Sequence, residues 1–417
     1  MRLEIAHFIA RFQSDTKGAV AIVFAGVFLL LTVAAGGAID FLRWQTAYYR
    51  TQTAMDAAVL AAGQELQRSE ATEDSVIETA TKYYEVNNTA KLKANISAFS
   101  YDADRVEVSA SSQGSHVETT FLNLIGFETL PVNVTSSAAL SSDNVEVSLM
   151  LDVTGSMGVN NKLEDLQTAA KQLIDIVLSD GLLQHNSRIA LVPFSTFVNV
   201  GRTYFTDVTG TPATGTGVEF TCVVERNNAN RYTDDEPAVG GYFDSYVGLY
   251  GPIYGALLPD CPTLSTIMPL SDNKDTLKDH IETFQVAPTS TAGHLGTAWA
   301  WYTLSNKWSD IWPTESAPEA PGNVRKIAVL MTDGNYNAQF SGNSSRTQGR
   351  ALCDNMKTAG ITIYAVGFDV AEGSAADVTM AYCASSTDHH YNAADGTALI
   401  DAYNDIARKI YSIRLTE

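Results

Sequence analysis

Carboxylate and hydroxyl side chains occur at three separated points of the sequence, each next to an apolar segment. Asp152, Thr154 and Ser156 lie at or just after the end of the apolar run VEVSLML. Asp333 follows the run RKIAVLM in a Thr-Asp-Gly turn, and Thr291, preceded by a serine, stands before the segment GHLGTAWAWYTLS. Oxygen ligands of this kind suit Mg²⁺ or Mn²⁺ and, less decisively, Ca²⁺. The pattern therefore predicts a divalent cation site.

The DVTGSM segment alone has a second interpretation, in which Asp152 and Ser156 cap the helix that follows. Ligand sites of open α/β sheets lie at the carboxyl edge of the sheet, where both apolar runs are expected to end. Three loops that deliver oxygens to one edge favour the metal site over the cap. Neutral hydroxyls leave the ion electron-poor, so that it can accept a carboxylate from another molecule. We therefore expect metal occupancy to be coupled to the binding of an acidic protein partner.

Two other clusters could be metal ligands, and each has a simpler interpretation. His389 and His390 beside Asp388 are typical of an exposed loop before a helix. The acidic run at 234–236 could hold Ca²⁺ or form a solvated loop, and the loop is the simpler interpretation.

Known catalytic signatures are missing from the sequence. There is no HExxH, no P-loop, no GxGxxG after a strand and no GxSxG elbow. We therefore predict no catalytic residues and no enzymatic activity. A cell-envelope hydrolase and a structural envelope protein with an unoccupied metal site remain the alternatives.

Alternating strand and helix patterns must position the oxygen ligands. The runs VEVSLML, NKLEDLQTAAKQLIDIVL and RIALVPF begin an α/β pattern near residue 145. It resumes with RKIAVLM, a helix near 345–359, ITIYAVGF and a final helix at 397–414. This order predicts a Rossmann-like α/β fold over 143–417. A segment at about 201–288, rich in Gly, Pro, Tyr and Asp, is predicted to be an insert on the surface.

Four cysteines lie in the C-terminal half of the chain and would pair in an oxidising compartment. Three connectivities are possible. Pairing within each segment is the simplest, which joins Cys222 to Cys261 in the insert and Cys353 to Cys383 in the sheet region.

The N-terminal region carries an uncharged apolar run at 19–39, which matches the roughly 20 residues of a membrane-spanning helix. A cleaved signal peptide is the alternative, because small residues at 34–38 could supply a cleavage site. Basic residues precede the run, which places residues 1–18 in the cytoplasm. The expected protein is a single-pass inner-membrane protein that contacts lipid through this helix and exposes its C-terminal domain to the periplasm or exterior.

Residues 40–142 begin as an extension of that helix and then change to an alternating pattern. Val106, Val108 and Ala110 share one face of a half-buried strand, and FLNLIGF and LPVNVTSSAAL follow. We expect a small α+β unit with a structural or assembly role.

The composition excludes one class of partner. The chain has 417 residues with 27 Lys and Arg against 47 Asp and Glu, a formal charge of -20. This charge repels phosphate backbones, and no basic stripe opposes it, so we predict no binding to nucleic acid.

Residues 143–417 resemble the von Willebrand factor type A (vWA) family. Its metal-ion-dependent adhesion site (MIDAS) reads DxSxS, then a Thr, then an Asp in a T/S-D-G turn. Asp152, Thr154 and Ser156 match the first element with Thr in place of Ser, Thr291 matches the second and Asp333 the third. The resemblance implies that the three hydroxyls contact the ion and that the two carboxylates act directly or through water.

Both ends of the chain also resemble TadG-like proteins of the tight-adherence (Flp) pilus assembly system. At the N-terminus the resemblance rests on the segments DTKGAVAIVFAG, AIDFLR and TAMDAAVLAAG. In the C-terminal half it rests on AWAWYTLSNKW, MTDGNYN, ALCDNMKTAGITIYAVGF and IARKIYSIRL. The resemblance implies a metal-dependent adhesion or assembly protein of the bacterial envelope, with pilus-assembly components among its partners.

Overall fold

A computed structural model describes residues 17–66, 68, 71–88, 97–102, 107–112, 114–140, 144–178, 186–213, 221–245, 261, 265–322, 324–410 and 413–416. The chain divides into two compact units. The first contains Met1–Leu66, Ala71–Leu140 and Ile413–Glu417, and the second contains Gln67–Glu70 and Ser141–Ser412.

The first unit is built on a long helix, α1 (Lys17–Leu66). Its N-terminal half exposes large apolar side chains such as Phe28 and Leu30, whereas Met55 and Val59 in its C-terminal half are buried. By length and composition, α1 is the helix among the described residues that could cross a membrane. The exposed apolar half coincides with the span predicted from sequence.

A second helix and a small sheet complete this unit. Helix α2 (Glu73–Asn87) packs against α1 and begins at Thr72, whose side chain forms a capping box with Ser75. The strands are β1 (Ser97–Asp102), β2 (Glu107–Ser111), β3 (His116–Glu118), β4 (Thr129–Pro131), β5 (Thr135–Leu140) and β14 (Ile413–Thr416). The antiparallel order is β1-β2-β5-β14, and β3 and β4 form a separate hairpin.

The second unit contains a six-stranded sheet. Its strands are β6 (Val145–Asp152), β7 (Arg188–Phe194), β10 (Met268–Ser271), β11 (Arg325–Thr332), β12 (Thr362–Phe368) and β13 (His390–Ala393). Their order is β10-β7-β6-β11-β12-β13, and all neighbours are parallel except the edge strand β10. A short antiparallel pair, β8 (Val198–Asn199) and β9 (Cys222–Val223), lies beside it.

Helices accompany the strands of this sheet. They are α3 (Lys162–Val177), α4 (Gly201–Thr209), α5 (Lys274–Glu282), α6 (Gly293–Tyr302), α7 (Ser345–Thr358), α8 (Ala375–Cys383) and α9 (Gly396–Ile410). Helix α3 packs against α5 and α9, while α6 packs against α7, and α7 against α8. Every residue of β6 is buried, as expected for a central strand of a parallel sheet covered by helices. The predicted α/β fold class is confirmed.

The connection order determines where a ligand can bind. Strand β6 leads through α3 to β7 on one side, and the chain later adds β11 on the other side of β6. The carboxyl ends of β6 and β11 therefore flank a topological switch point, where open α/β sheets bind their ligands. Asp152 ends β6, and Asp333 follows β11 directly.

Two disulfides join the pairs that sequence separation predicted. Cys222 bonds Cys261, and Cys353 at the core of α7 bonds Cys383 at the end of α8. Within the segment predicted as an insert, Met268–Ser271 pairs with β7 and α5 packs on α3, so this part contributes to the main sheet and its helix layer.

Candidate metal centre

The loop after β6 is held in place by main-chain contacts with a neighbouring loop. The peptide N–H of Gly155 donates to the carbonyl of Thr289 at 3.3 Å, and that of Ala287 donates to Val153 at 2.8 Å. A Cβ on Gly155 would lie 3.5 Å from the Cα of Pro288, so the two backbones run in close contact. A 3₁₀ turn at Gly155–Gly158 then leads toward α3.

Asp152 is completely buried, and hydroxyl groups orient both of its oxygens. Its Oδ1 accepts from the N–H and the Oγ1 of Thr154 at 2.9 and 2.6 Å, and its Oδ2 accepts from Thr332 Oγ1 at 2.7 Å. Burial, and then the charge of Asp333, raise the pKa of Asp152 to about 6, although these hydrogen bonds oppose the rise. A buried carboxylate that is repelled by a second one is stabilised by a cation.

Asp333 completes a chain of oxygen atoms that opens to solvent. Ser156 Oγ donates to Asp333 Oδ1 at 2.6 Å and lies 3.2 Å from Thr154 Oγ1. Ser156 is exposed, whereas Asp152, Thr154 and Asp333 are buried. The structure thus brings four of the predicted ligands together, with Ser156 on the accessible side.

Thr291 lies beside the same turn through its backbone. Its N–H donates to the Asn337 side chain at 2.9 Å, and its carbonyl accepts from the peptide N–H groups of Asn337 and Ala338 at 2.9 and 3.1 Å. Its Oγ1 lies 4.0 Å from the position that a Cβ on Gly334 would occupy. Of the neighbouring hydroxyl residues, Ser290 is exposed, whereas Thr291 is buried. The structure records no hydrogen bond between Thr291 Oγ1 and either carboxylate.

A lysine that sequence reasoning missed lies at this centre. Lys162 Nζ is 3.2 Å from Asp333 Oδ2 and 2.9 Å from Asp369 Oδ2. Burial lowers the pKa of Lys162, but its pairing with Asp369 and Asp333 outweighs burial, so the pKa lies above its ordinary value. Lys162 is therefore a fixed positive charge beside the carboxylate that the ion would use.

Unusual backbone conformations position this lysine and its partner. Asn160, Asn161 and Asp369 have positive φ angles of 56°, 59° and 52°. Asn and Asp adopt this left-handed conformation more readily than other side chains, but at some cost. Such strain concentrates at functional sites. The two asparagines are adjacent in sequence, and such a pair before a helix is a local signal by which Lys162 could be found.

The donor set fits a hard divalent cation. Two carboxylates and three hydroxyls supply oxygen only, and burial together with the charge of Asp333 raises the pKa of Asp152, which favours a cation beside it. Across the described ranges, no group of three or more His, Cys, Asp or Glu side chains could hold a metal. A softer N/S site of the zinc type is therefore not found there, and the oxygen cluster is the candidate.

The other two candidate clusters make protein contacts instead. His390 Nε2 lies 3.1 Å from Asp377 Oδ1, and the His389 ring contacts the ring of Tyr364 at 4.3 Å. In the acidic run, Asp234 and Asp235 lie 2.7 and 2.9 Å from Lys307 Nζ. These contacts connect loops to the folded unit.

A buried line of acid, imidazole and hydroxyl lies three residues beyond Thr291. His294 Nδ1 is 2.8 Å from Ser345 Oγ, and His294 Nε2 is 3.4 Å from Glu225 Oε2. The order resembles a hydrolase triad, but Ser345 is completely buried, so its hydroxyl does not reach solvent. Glu225 also accepts from the N–H groups of Phe340 and Ser341. The network therefore connects the β9 segment to the start of α6 and the loop before α7.

Comparisons with known proteins identify two families. The profile of the von Willebrand factor type A domain matches residues 263–405, and that of the Flp pilus-assembly TadE/G-like family matches residues 18–65. No curated protein sequence shows significant similarity to the chain.

Several solved structures are similar at low identity. Proximal thread matrix protein 1 from the mussel byssus is 12% identical over 67% of this chain and 49% of its own, with a TM-score of 0.35. The pilus adhesin SpaC from Lactobacillus rhamnosus GG is 14% identical over 75% of this chain and 36% of its own, with a TM-score of 0.41. The vWF domain of the type V pili tip protein Mfa5 from Porphyromonas gingivalis is 13% identical over 64% of this chain and 95% of its own, with a TM-score of 0.38.

The chain thus spans half or less of the mussel and Lactobacillus proteins. The TadE/G-like match covers the N-terminal motifs, and the vWA match covers motifs in the C-terminal half of the sequence. The chain combines a TadE/G-like Flp pilus-assembly segment at its N-terminus with a von Willebrand factor type A domain.

Proposed function

We propose that this pilus-associated adhesion or assembly protein binds one divalent cation through Asp152, Thr154, Ser156, Thr291 and Asp333. The ion is Mg²⁺ in this proposal, with Mn²⁺ and Ca²⁺ as alternatives. A bound ion supplies a coordination position for a carboxylate of a protein partner, which is the role we assign to it. The TadE/G-like and vWA matches support a role in assembly or adhesion without catalysis.

One observation carries the proposal. The buried Asp152 carboxylate faces the charge of Asp333 and is connected to it through the hydroxyls of Thr154 and Ser156. Two buried carboxylates repel each other, and the ammonium group of Lys162 lies beside Asp333, so a divalent cation would relieve the repulsion that remains at Asp152. The arrangement is also open at Ser156, where a partner side chain can approach.

The proposal includes a place in the cell. The exposed apolar half of α1 supports a single-pass anchor in the bacterial inner membrane, with residues 1–18 in the cytoplasm and the vWA domain outside it. Two disulfides are consistent with an oxidising compartment. The partner would then belong to the pilus-assembly machinery of the envelope.

Thermal unfolding of the full-length protein with and without Mg²⁺ tests metal binding. A ligand present at 100 times its Kd stabilises the folded state by about 2.7 kcal/mol. We expect a gain of this size for the wild type and none for Asp152→Ala. Asp388→Ala is the matched control, since it removes the same group from an exposed loop, and it should gain as much as the wild type.

Two outcomes would contradict the proposal. The first is a wild type that gains no stability from Mg²⁺, Mn²⁺ or Ca²⁺, which would favour a structural role. The second is an equal gain in wild type and Asp152→Ala, which would place the binding elsewhere.

A further inference from the structure

The hairpin that joins β3 to β4 in the first unit ends in an apolar tip. Residues 121–127 read FLNLIGF, and Leu122–Ile125 forms a 3₁₀ turn closed by Gly126 at φ 95°. Leu124, Ile125 and Phe127 are 62%, 53% and 59% exposed. Adjacent exposed side chains of this size mark a surface that something covers.

Contacts with α1 fix the position of this tip. A Cβ on Gly36 would overlap the ring of Phe121, and one on Gly37 would lie 3.1 Å from Leu122 Cδ2. The two glycines thus let the hairpin lie directly against the helix. Gly36 and Gly37 belong to the uncharged run 19–39 of the predicted membrane span. The tip therefore lies at the depth of the last turn of that span.

Asp40 holds the tip in this position. Its carboxylate is buried and accepts the peptide N–H groups of Thr120, Phe121 and Leu122 at 2.7 to 3.1 Å. Arg43 donates to Thr120 Oγ1 at 3.0 Å from the next turn of α1. The hairpin is thus fastened to the helix immediately after the span.

Most of the peptide N–H groups of the tip have partners within the protein. The N–H of Leu124 donates to Phe121, that of Gly126 to Asn123, and that of Phe127 to Leu122. Together with the three N–H groups bound by Asp40, these donors are satisfied without water. Peptide groups that enter the hydrocarbon region need such partners, because no water is present there.

Basic side chains follow on the side of the tip away from the span. Arg43 and Arg50 line a recess of about 390 Å³ together with Val117 of β3. They are two helical turns apart and share a face of α1. Arginines at this level are placed to meet lipid phosphates, since basic residues favour the headgroup region.

We propose that Leu124, Ile125 and Phe127 insert into the outer leaflet of the bilayer beside α1, as a second membrane contact of the protein. This inference rests on the proposed membrane anchoring by α1. The hairpin would then set the depth and tilt of the helix, because the tip and the span are joined through Gly36, Gly37 and Asp40. A second copy of the chain or an apolar protein partner is the competing occupant.

Depth-dependent fluorescence quenching tests the insertion. The four native cysteines are all in disulfides, so an introduced cysteine is a free thiol for a bimane label. The full-length variants Ile125→Cys, Leu31→Cys and Gln64→Cys are reconstituted in phosphatidylethanolamine and phosphatidylglycerol vesicles with a doxyl-labelled lipid. Leu31 reports the anchor itself, and Gln64 lies roughly 40 Å along α1 from Gly37 at 1.5 Å per residue.

We expect the doxyl lipid to quench the label at Ile125 at least half as strongly as at Leu31, and to leave Gln64 at background. Quenching at Leu31 without quenching at Ile125 overturns the insertion and leaves the anchor in place. If, in addition, the thiol at Ile125 cross-links between chains, the tip is a protein contact. Absence of quenching at both Leu31 and Ile125 overturns the anchor and the insertion together. Asp40→Ala in the Ile125→Cys background should reduce quenching at Ile125, because the hairpin is no longer held against the helix. Asp40→Ala in the Leu31→Cys background should leave the label at Leu31 quenched, because α1 still crosses the bilayer.

Discussion

The ammonium group of Lys162 lies beside Asp333, one of the carboxylates that a divalent cation would also contact. Its Nζ lies 3.2 Å from Asp333 Oδ2 and 2.9 Å from Asp369 Oδ2. In the absence of metal this lysine offsets the repulsion between Asp152 and Asp333. When an ion binds, the lysine competes with it for Asp333, so this side chain sets the affinity of the site.

Replacing Lys162 by Met tests this competition. The metal-free protein should lose about 1 to 3 kcal/mol, between the values typical of exposed and buried ion pairs. The stability gained on adding Mg²⁺ should exceed that of the wild type, as measured by denaturant unfolding with EDTA or with Mg²⁺. Lys171→Met removes a surface partner of Glu282 from the same helix and should leave the Mg²⁺ response unchanged. An equal or smaller response in Lys162→Met would contradict the competition.

The raised pKa of Asp152 predicts a pH dependence of metal binding. A proton and a cation compete for this carboxylate, whose pKa is about 6 without metal. Mg²⁺ affinity should therefore fall about tenfold from pH 7 to pH 5 by calorimetry, because most Asp152 is protonated at the lower pH. The folded pKa lies above the roughly 3.9 of an unfolded Asp, so the metal-free protein should gain stability as the pH falls from about 6 to about 4. Equal affinities at the two pH values would show that Asp152 is not a ligand.

The sequence predicts residues of the centre to different degrees. Asp152, Thr154, Ser156 and Asp333 follow apolar runs at a recognisable spacing, and the structure brings them together. Lys162 was missed because a lysine at the start of a helix looks like a surface residue. It is buried, and the two residues before it have positive φ angles, a feature that hydrophobic patterning does not report. The roles of these residues toward a metal remain predictions.

At the scale of elements, the Cys353–Cys383 disulfide joins two helices that cover the β12 side of the sheet. Both half-cystines are completely buried, and the bridge closes a loop of 30 residues. On the chain-entropy model, a loop of this length stabilises the folded state by about 3 to 4 kcal/mol. Removing the bridge should therefore lower the free energy of unfolding and leave metal binding unchanged.

The double variant Cys353→Ala/Cys383→Ala should lose about 3 to 4 kcal/mol in denaturant unfolding and retain the Mg²⁺ response. Changing both cysteines avoids leaving a free thiol that could form new pairs. A loss below about 1 kcal/mol would show that packing of α7 and α8 suffices without the bridge.

Element boundaries were predictable where the local pattern was strong. The runs at β6, β11 and β12 are mostly apolar, and each is a strand whose residues are nearly all buried. The edge strand β10 lies in a segment rich in turn residues, and its assignment depends on pairing with β7. Local sequence patterns do not report such a partner.

At the scale of the whole molecule, the pairing of β14 with β5 brings the end of the chain into the first unit. Both strands are short, and the sequence of neither strand indicates that the other is its partner. The pairing of β14 with β5 was therefore not predictable from composition or periodicity. The strand pairing stabilises a unit that also contains α1. Helix α1 and strand β14, which lie near opposite ends of the described residues, therefore belong to one folded unit. The family matches cover this unit only at residues 18–65.

In the proposed function, an ion bound at the vWA domain takes a carboxylate from a partner as its remaining ligand. Water-proton relaxation with Mn²⁺ tests both the binding of the ion and its acceptance of a carboxylate in the full-length protein. A bound Mn²⁺ relaxes the waters that it still coordinates, and a carboxylate ligand would displace one of them. We expect saturable binding of one Mn²⁺ per chain, abolished by Asp333→Ala, and a relaxation enhancement that falls when acetate is added as a carboxylate probe. Non-saturable Mn²⁺ binding, or an enhancement that acetate leaves unchanged, would contradict the proposed function.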